Sequence, residues 1–310
     1  MVGIPMIGTG ESTQRFMLPG GYAAADCDLL REVEVAPLSG WDEELIAAQP
    51  PAARRGLLTV LLSRCVLRLG AVRPVTEDLV RRLLVVDRQF LLLKLRQLTF
   101  GDYMQATVQC PWETCRQKID IDFSLDDIPV RESEEKGPLY ARELSPQAGF
   151  SDDHGALHRE VVFRLPNGED QEAISQIVDG EEAEAFALLL ARCLHRLGGR
   201  SAPGPELIQR LSPLALSEIE RHMEMAAPQV DSILSAHCPE CDRDFTVPLD
   251  LLGGFIAECQ AGRSLLDREV HLLAYHYHWS ERDILALSRG KRRRYVAILA
   301  DELRKVRHAV

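Results

Sequence analysis

Four cysteines in two close pairs are the residues of this chain best placed to do chemistry. Cys110-Pro-Trp-Glu-Thr-Cys115 is a C-x4-C pair, and Cys238-Pro-Glu-Cys241 is a C-x2-C pair. A turn of this kind, set between two strands, presents two thiolates to one metal ion at about 2.3 Å each, and two such turns complete a tetrahedron. Four thiolates leave no position for water or substrate, so zinc held there stabilises a fold rather than catalysing. A redox disulfide at Cys238 and Cys241 is the competing chemistry, but no thioredoxin-like βαβ pattern surrounds it. The pairs are separated by 122 residues, and the spacing alone leaves open whether they share one ion.

Other candidates read as structural. Cys65 and Cys193 lie in Leu-rich helical segments and are expected in the core. Cys27 and Cys259 carry no assigned role. His271, His276 and His278 could form a second metal site, yet Leu272, Leu273, Tyr275, Tyr277 and Trp279 around them read as a packing helix. Asp87 and Arg88 suggest a buried structural pair. The run Arg289-Gly-Lys-Arg-Arg-Arg294 is open to four readings: a solvated face, a site for an acidic partner, a contact with the acidic remainder of the same chain, or a nucleic-acid contact. No G-x-S-x-G, phosphate-cradling glycine loop or H-E-x-x-H occurs, and nothing pairs a nucleophile with a base. No catalytic residue is expected, and the chain reads as a non-enzyme.

The elements that must position the cysteines come in two sets. Displaced by 128 residues without gaps, the chain matches itself at 21 of the 91 positions from 21 to 111. Ordinary composition would give roughly 6. Arg31-Glu32-Val33 falls on Arg159-Glu160-Val161, and Gly40, Asp42, Glu44 and Ile46 on Gly168, Asp170, Glu172 and Ile174. Leu61, Leu62, Arg64, Cys65, Arg68, Leu69 and Gly70 fall on Leu189, Leu190, Arg192, Cys193, Arg196, Leu197 and Gly198, and Cys110-Pro111 on Cys238-Pro239. A period this long suggests tandem duplication rather than a solenoid.

Within each copy, REVEV and HREVVFRL alternate as strands do. LLTVLLSRCVLRLG and FALLLARCLHRLGG are apolar at helical spacing and stop on Gly. Thr76-Glu77-Asp78 and Pro205-Glu206 open further helices, and VVDRQFLLLKLRQLTF continues as a buried one. ATVQC and KIDIDFSL flank the first cysteine pair as short strands, RDFTVPLDL repeats the second of these, and Ser280 with Asp283 suits an N-cap. The expected organisation is an N-terminal arm (1–20), a first copy (21–127), a polar linker (128–148), a second copy (149–253) and a C-terminal helical segment (254–310). The fold class expected is α+β and mostly helical, with two pseudo-symmetric repeats joined by strand-borne zinc knuckles.

Composition narrows the function. Of 310 residues, 46% are hydrophobic, so about two domains with sizeable cores fit. A net charge of −11 argues against a general nucleic-acid binder, whose affinity comes from neutralising phosphates. The charge is uneven: residues 289–310 hold eight Lys/Arg and two Asp/Glu, a net of +6, which leaves −17 elsewhere. No apolar run approaches the roughly 20 residues of a membrane span, and the start lacks a secretory pattern. Membrane insertion is therefore not expected and a cytoplasmic location is, where paired cysteines more often bind metal than form disulfides.

Several stretches together resemble a known family. LPGGY at 18–22, RCVLRLG, VVDRQFLLLKLRQLTFGD at 85–102, CPWETC, FRLPNGEDQEAI at 163–174, CPEC and HLLAYHYHWSERDILALSRGKRRRYVAIL are similar to the T4-type baseplate hub assembly chaperones. Members belong to contractile phage tails and contractile injection systems. The resemblance implies a protein that helps build, or forms part of, a baseplate hub, with hub, spike or tube-initiator proteins as partners. The C-terminal helices and the basic run at 289–294 are the expected working surfaces. The wide C-x4-C pair with Trp112 inside it departs from a compact knuckle. A zinc-ribbon regulator touching nucleic acid is the alternative.

Overall fold

The computed structural model describes residues 13–23, 29–49, 56–135, 137–151, 156–177 and 181–308. Cys27 and most of the expected N-terminal arm lie outside these. The first set of elements is β1 (Gln14–Ala23), β2 (Leu29–Val35), α1 (Gly40–Ala47), α2 (Leu57–Cys65), β3 (Val66–Leu69), α3 (Glu77–Arg82), α4 (Val85–Phe100), β4 (Tyr103–Gln109) and β5 (Lys118–Ser124). After β6 (Val130–Arg131) comes a second set: β7 (Tyr140–Glu143), β8 (Phe150–Ser151), β9 (Leu157–His158), β10 (Glu160–Phe163), α5 (Gly168–Ile174), α6 (Glu182–Cys193), β11 (Leu194–Leu197) and β12 (Arg200–Ser201). It continues with α7 (Pro205–Gln209), α8 (Pro213–Ala226), β13 (Gln229–Val230), β14 (Ile233–Cys238) and β15 (Arg243–Pro248). Three helices close the chain: α9 (Leu251–Tyr277), α10 (Glu281–Leu285) and α11 (Arg289–His308).

The expectation of a mostly helical protein is corrected. Of the described residues, 47% are helical and 27% are strand, with the strands spread over several small sheets. Part of the difference lies in the Leu-rich segments. The helical pattern of LLTVLLSRCVLRLG breaks at Cys65, and Val66–Leu69 pairs with β2 as a strand; α6 likewise ends at Cys193 and Leu194–Leu197 pairs with β10. Short apolar runs do not distinguish helix from strand by periodicity. Strands also occur where an arm and a polar linker were expected: Gln14–Ala23 is β1, and Tyr140–Glu143 pairs with β10.

The matched residues do the same work twice. Gly70 and Gly198 adopt φ of +54° and +56°, a region glycine enters without strain, and donate to Glu32 O at 2.8 Å and Glu160 O at 2.7 Å. Asp42 and Asp170 close capping boxes with Ser39 and Asn167, and are paired with Arg64 and Arg192. A Cβ on Gly21 would stand 2.7 Å from Arg31 Cγ, and one on Gly149 would stand 2.6 Å from Leu157 Cδ1.

Each set has its own core. Leu18, Val33, Leu61, Leu62, Leu91 and Leu95 are buried in the first, to which α9 adds Phe255, Ile256 and Cys259. Val161, Phe163, Leu190, Leu197 and Ile219 are buried in the second. Asp87 on α4 is buried and accepts from Gly20 N and Gly21 N, both at 2.8 Å, which pins the irregular middle of β1.

Helix pairs join the pieces in a repeated way. Gly168 N donates to Leu83 O at 3.1 Å, so the start of α5 sits on the α3–α4 corner. Gly40 N donates to Leu287 O at 3.2 Å, so the start of α1 sits on the α10–α11 corner. The corners correspond at an offset of 204: Thr76 and Ser280 are N-caps, Val80 and Ile284 are buried, and Arg88 and Arg292 are both buried cations. No helix of the described residues is long and apolar enough to cross a membrane.

Candidate metal centre

The cysteines sit at the tips of two hairpins. β4 and β5 pair in unbroken antiparallel register from Tyr103–Ser124 to Gln109–Lys118, with Cys110 and Cys115 in the connection. β14 and β15 pair likewise, with Cys238 ending one strand and Cys241 in the turn. Local bonds shape both turns: Cys115 N to Trp112 O at 2.9 Å in the first, and Asp242 N to Cys238 O at 2.9 Å in the second. In each turn the residue after the second cysteine has positive φ, Arg116 at 54° and Asp242 at 57°.

The two tips meet. Cys110 Sγ lies 3.8 Å from Cys241 Sγ, and Cys115 Sγ lies 3.7 Å from Cys238 Sγ. All four sulfurs lie within 4.8 Å of one another. A tetrahedron with metal–sulfur bonds of about 2.3 Å has sulfur–sulfur edges of about 3.8 Å. The four thiols are unbridged, so the donor set fits zinc. Cys110 and Cys238 are buried, and Ile119, Val108, Ile121 and Phe245 shield the site with them. Trp112 and Arg243 tie the tips together on the outside, with the guanidinium 5.3 Å from the ring centroid.

The electrostatics suit a site that takes a cation. Burial opposes ionisation of Cys238, but the N–H groups of Cys241 and Glu240, together with the Cys241 and Cys110 thiols, bring it down to about 7. Burial and the neighbouring thiols push Cys241 up to about 12. One thiolate forms readily and resists a second, which is the arrangement a divalent ion relieves.

The other candidates do not form a site. Cys65 and Cys193 end α2 and α6 as buried core residues, and burial pushes the Cys193 thiol up to about 12. His271 and His276 stack on or abut Tyr275, and His278 ends α9 at φ 56°. Among the described residues, the four cysteines are the metal-capable group of His, Cys, Asp and Glu. The basic run is only partly a free face: Arg293 and Arg294 are exposed, and Arg289 and Arg292 are buried. Arg289 Nη1 meets Glu43 Oε2 at 2.8 Å, and Arg292 pairs with Glu43 and, at 2.9 Å, with Glu269. Of the four sequence readings, the contact with the chain's own acidic part holds for these two. Sequence reasoning missed the acceptors, Glu43 and Glu269, and the α10–α11 resemblance to α3–α4, whose signal was the shared cap-Glu and the later Leu and Arg at offset 204.

A family model described as "T4 bacteriophage base plate protein" matches residues 26–257. The matched region includes both hairpins and the first turns of α9. No curated protein and no solved structure matches the chain.

Proposed function

The chain belongs to the T4 bacteriophage base plate protein family, and from that premise we propose that it is a non-enzymatic assembly factor or structural component of a baseplate hub. The host particle is a contractile tail or contractile injection system, and the direct partners are hub, spike or tube-initiator proteins. The observation that carries this reading is the family match over residues 26–257.

Cys110, Cys115, Cys238 and Cys241 hold one structural zinc in this reading, supported by sulfur separations of 3.7 and 3.8 Å across the two tips. The ion joins two copies of one unit, drawn at 21–127 and 149–253, into one scaffold, with 254–310 packed against the first. Four thiolates fill the shell, which suits bracing and not catalysis. Against the nucleic-acid alternative stand the net charge of −11 and the use of Arg289 and Arg292 on internal carboxylates.

Retention of purified hub, spike and tube-initiator proteins on the immobilised full chain tests the function. At least one should be held at low salt. Retention of none would contradict the assembly role.

A further inference from the structure

Four sheet edges flank the metal centre, because β4–β5 and β14–β15 are each two-stranded. In an antiparallel pair, residues alternate between those whose N–H and C=O face the partner and those whose groups face away. Cys110 N to Gln117 O at 2.9 Å and Leu125 N to Asp102 O at 3.1 Å fix that phase for β4. Met104, Ala106 and Val108 therefore face β5, and the backbone groups of Tyr103, Gln105, Thr107 and Gln109 point the other way. Among the described residues, none of those outward groups has a protein partner.

Three of the four edges carry features that discourage pairing with another chain. The outward positions of β5 include Lys118, Asp120 and Asp122, and those of β15 include Asp244 and Pro248. On β14, His237 is held by Asp242 at 3.2 Å and Asp244 at 2.9 Å. β4 has none of these. Tyr103-Met-Gln-Ala-Thr-Val-Gln109 has no charge, no proline and no register shift, and its outward side chains are exposed, Tyr103 by 80%.

We propose that β4 is a docking edge on which an extended, uncharged strand of another protein of the assembly adds as a third strand. A net charge of −11 on every copy opposes pairing of two copies over this edge, so the occupant is a different protein. Main-chain bonds supply the affinity, and the exposed Gln105 supplies a neutral side-chain partner. The identity of that protein rests on the baseplate reading.

Residue-resolved amide exchange on the full chain, free and co-assembled with hub, spike and tube-initiator proteins, tests the proposal. The amides of Tyr103, Gln105, Thr107 and Gln109 should exchange fast in the free chain and at least about tenfold slower in the complex, while Met104, Ala106 and Val108 are protected in both. Thr107→Pro removes one outward N–H without touching a β4–β5 bond and should weaken co-assembly about tenfold at unchanged zinc content. Thr107→Ala loses the hydroxyl contact to Asp120 (2.7 Å) but keeps the N–H, and should assemble like the wild type. Unchanged exchange in the complex, or Thr107→Pro assembling as well as Thr107→Ala, would overturn the docking edge and leave the baseplate role standing. Protection that grows with concentration in the free chain would assign the edge to a second copy and overturn it too. A wild-type chain that joins no complex defeats the baseplate role itself and removes the edge's partner with it.

Discussion

The two copies present the same capped helix start to a helix pair, yet they fill the contact differently. In the first, Glu43 is 3% exposed and lies between Arg289 and Arg292, while Glu269 answers Arg292 from α9. In the second, the position equivalent to Glu43 holds Gln171. Its side-chain oxygen is buried without a hydrogen bond, as are Arg88 Nε and, in the first contact, Arg289 Nε. Arg88 is left with Thr59 and Val80 O as acceptors and Glu172 at 3.8 Å. Burial is the main force lowering its pKa. At the matched positions the parts that fix the backbone, namely the glycines and caps, recur, while the polar filling differs. Buried charge is therefore better compensated where the C-terminal segment meets copy one than where the copies meet each other.

The largest expected effect is at the junction of the copies. Cys238→Ser should release the metal and cost several kcal/mol, because the binding energy of a structural ion is folding energy. Its counterpart within one copy, Cys193→Ser, changes a buried core residue only and should leave metal content intact. Zinc analysis with thermal melts checks both; equal metal loss in the two variants would break the distinction. Next in size is the charge contrast. Glu43→Gln leaves two buried guanidinium groups short of a partner and should cost about 3–5 kcal/mol. Gln171→Glu restores the carboxylate found at the equivalent Glu43 and should be neutral or stabilising by up to about 1 kcal/mol. Urea unfolding of both variants reads the difference, and a similar loss in each would show that the two contacts are not distinguished by charge.

Steric contrast comes third. A Cβ at Gly168 would stand 2.1 Å from Arg88 Nη1 and 2.8 Å from Arg81 O, while one at Gly40 would stand 2.8 Å from Leu285 Cδ2. Gly168→Ala should therefore be the worse of the two, each within about 1–3 kcal/mol.

The smallest effect is in pH dependence and has opposite signs in the two copies. Burial raises Asp87 to about 6, against the lowering pull of the Gly20 and Gly21 amides. The folded state then binds a proton that the unfolded chain does not, so this group adds stability as pH falls from about 6 towards 4. Glu218 of α8 accepts from Ser145 Oγ at 2.6 Å and Ser145 N at 2.8 Å, and these bonds hold its carboxyl below the usual range. Its contribution is present above the ordinary glutamate value and is lost as pH falls through the lowered one. Asp87→Asn should make the stability profile fall more steeply on acidification, and Glu218→Gln should make it fall less. Parallel changes would contradict the assignment.

Much of the site was legible because its residues are local signals. The cysteine spacings, the flanking alternation and the 128-residue offset placed two knuckles at equivalent points, and α4 spans Val85–Phe100 as its apolar pattern predicts. The matched knuckles predict tips that meet, but the spacing leaves a shared ion open, because pairs separated by 122 residues carry no local signal of contact. Val66–Leu69 and Leu194–Leu197 were misread as helix, since four apolar-rich residues carry no period of their own. The burial of Arg289 and Arg292 was hidden for a related reason: the residue that decides it, Glu43, lies 246 and 249 positions away.

X-ray absorption at the zinc edge on the purified full chain tests the central claim most directly. One zinc per chain bound by four sulfurs at about 2.3 Å is the expected result. No metal, two ions per chain, or a shell completed by nitrogen or oxygen would contradict a single ion joining the two copies.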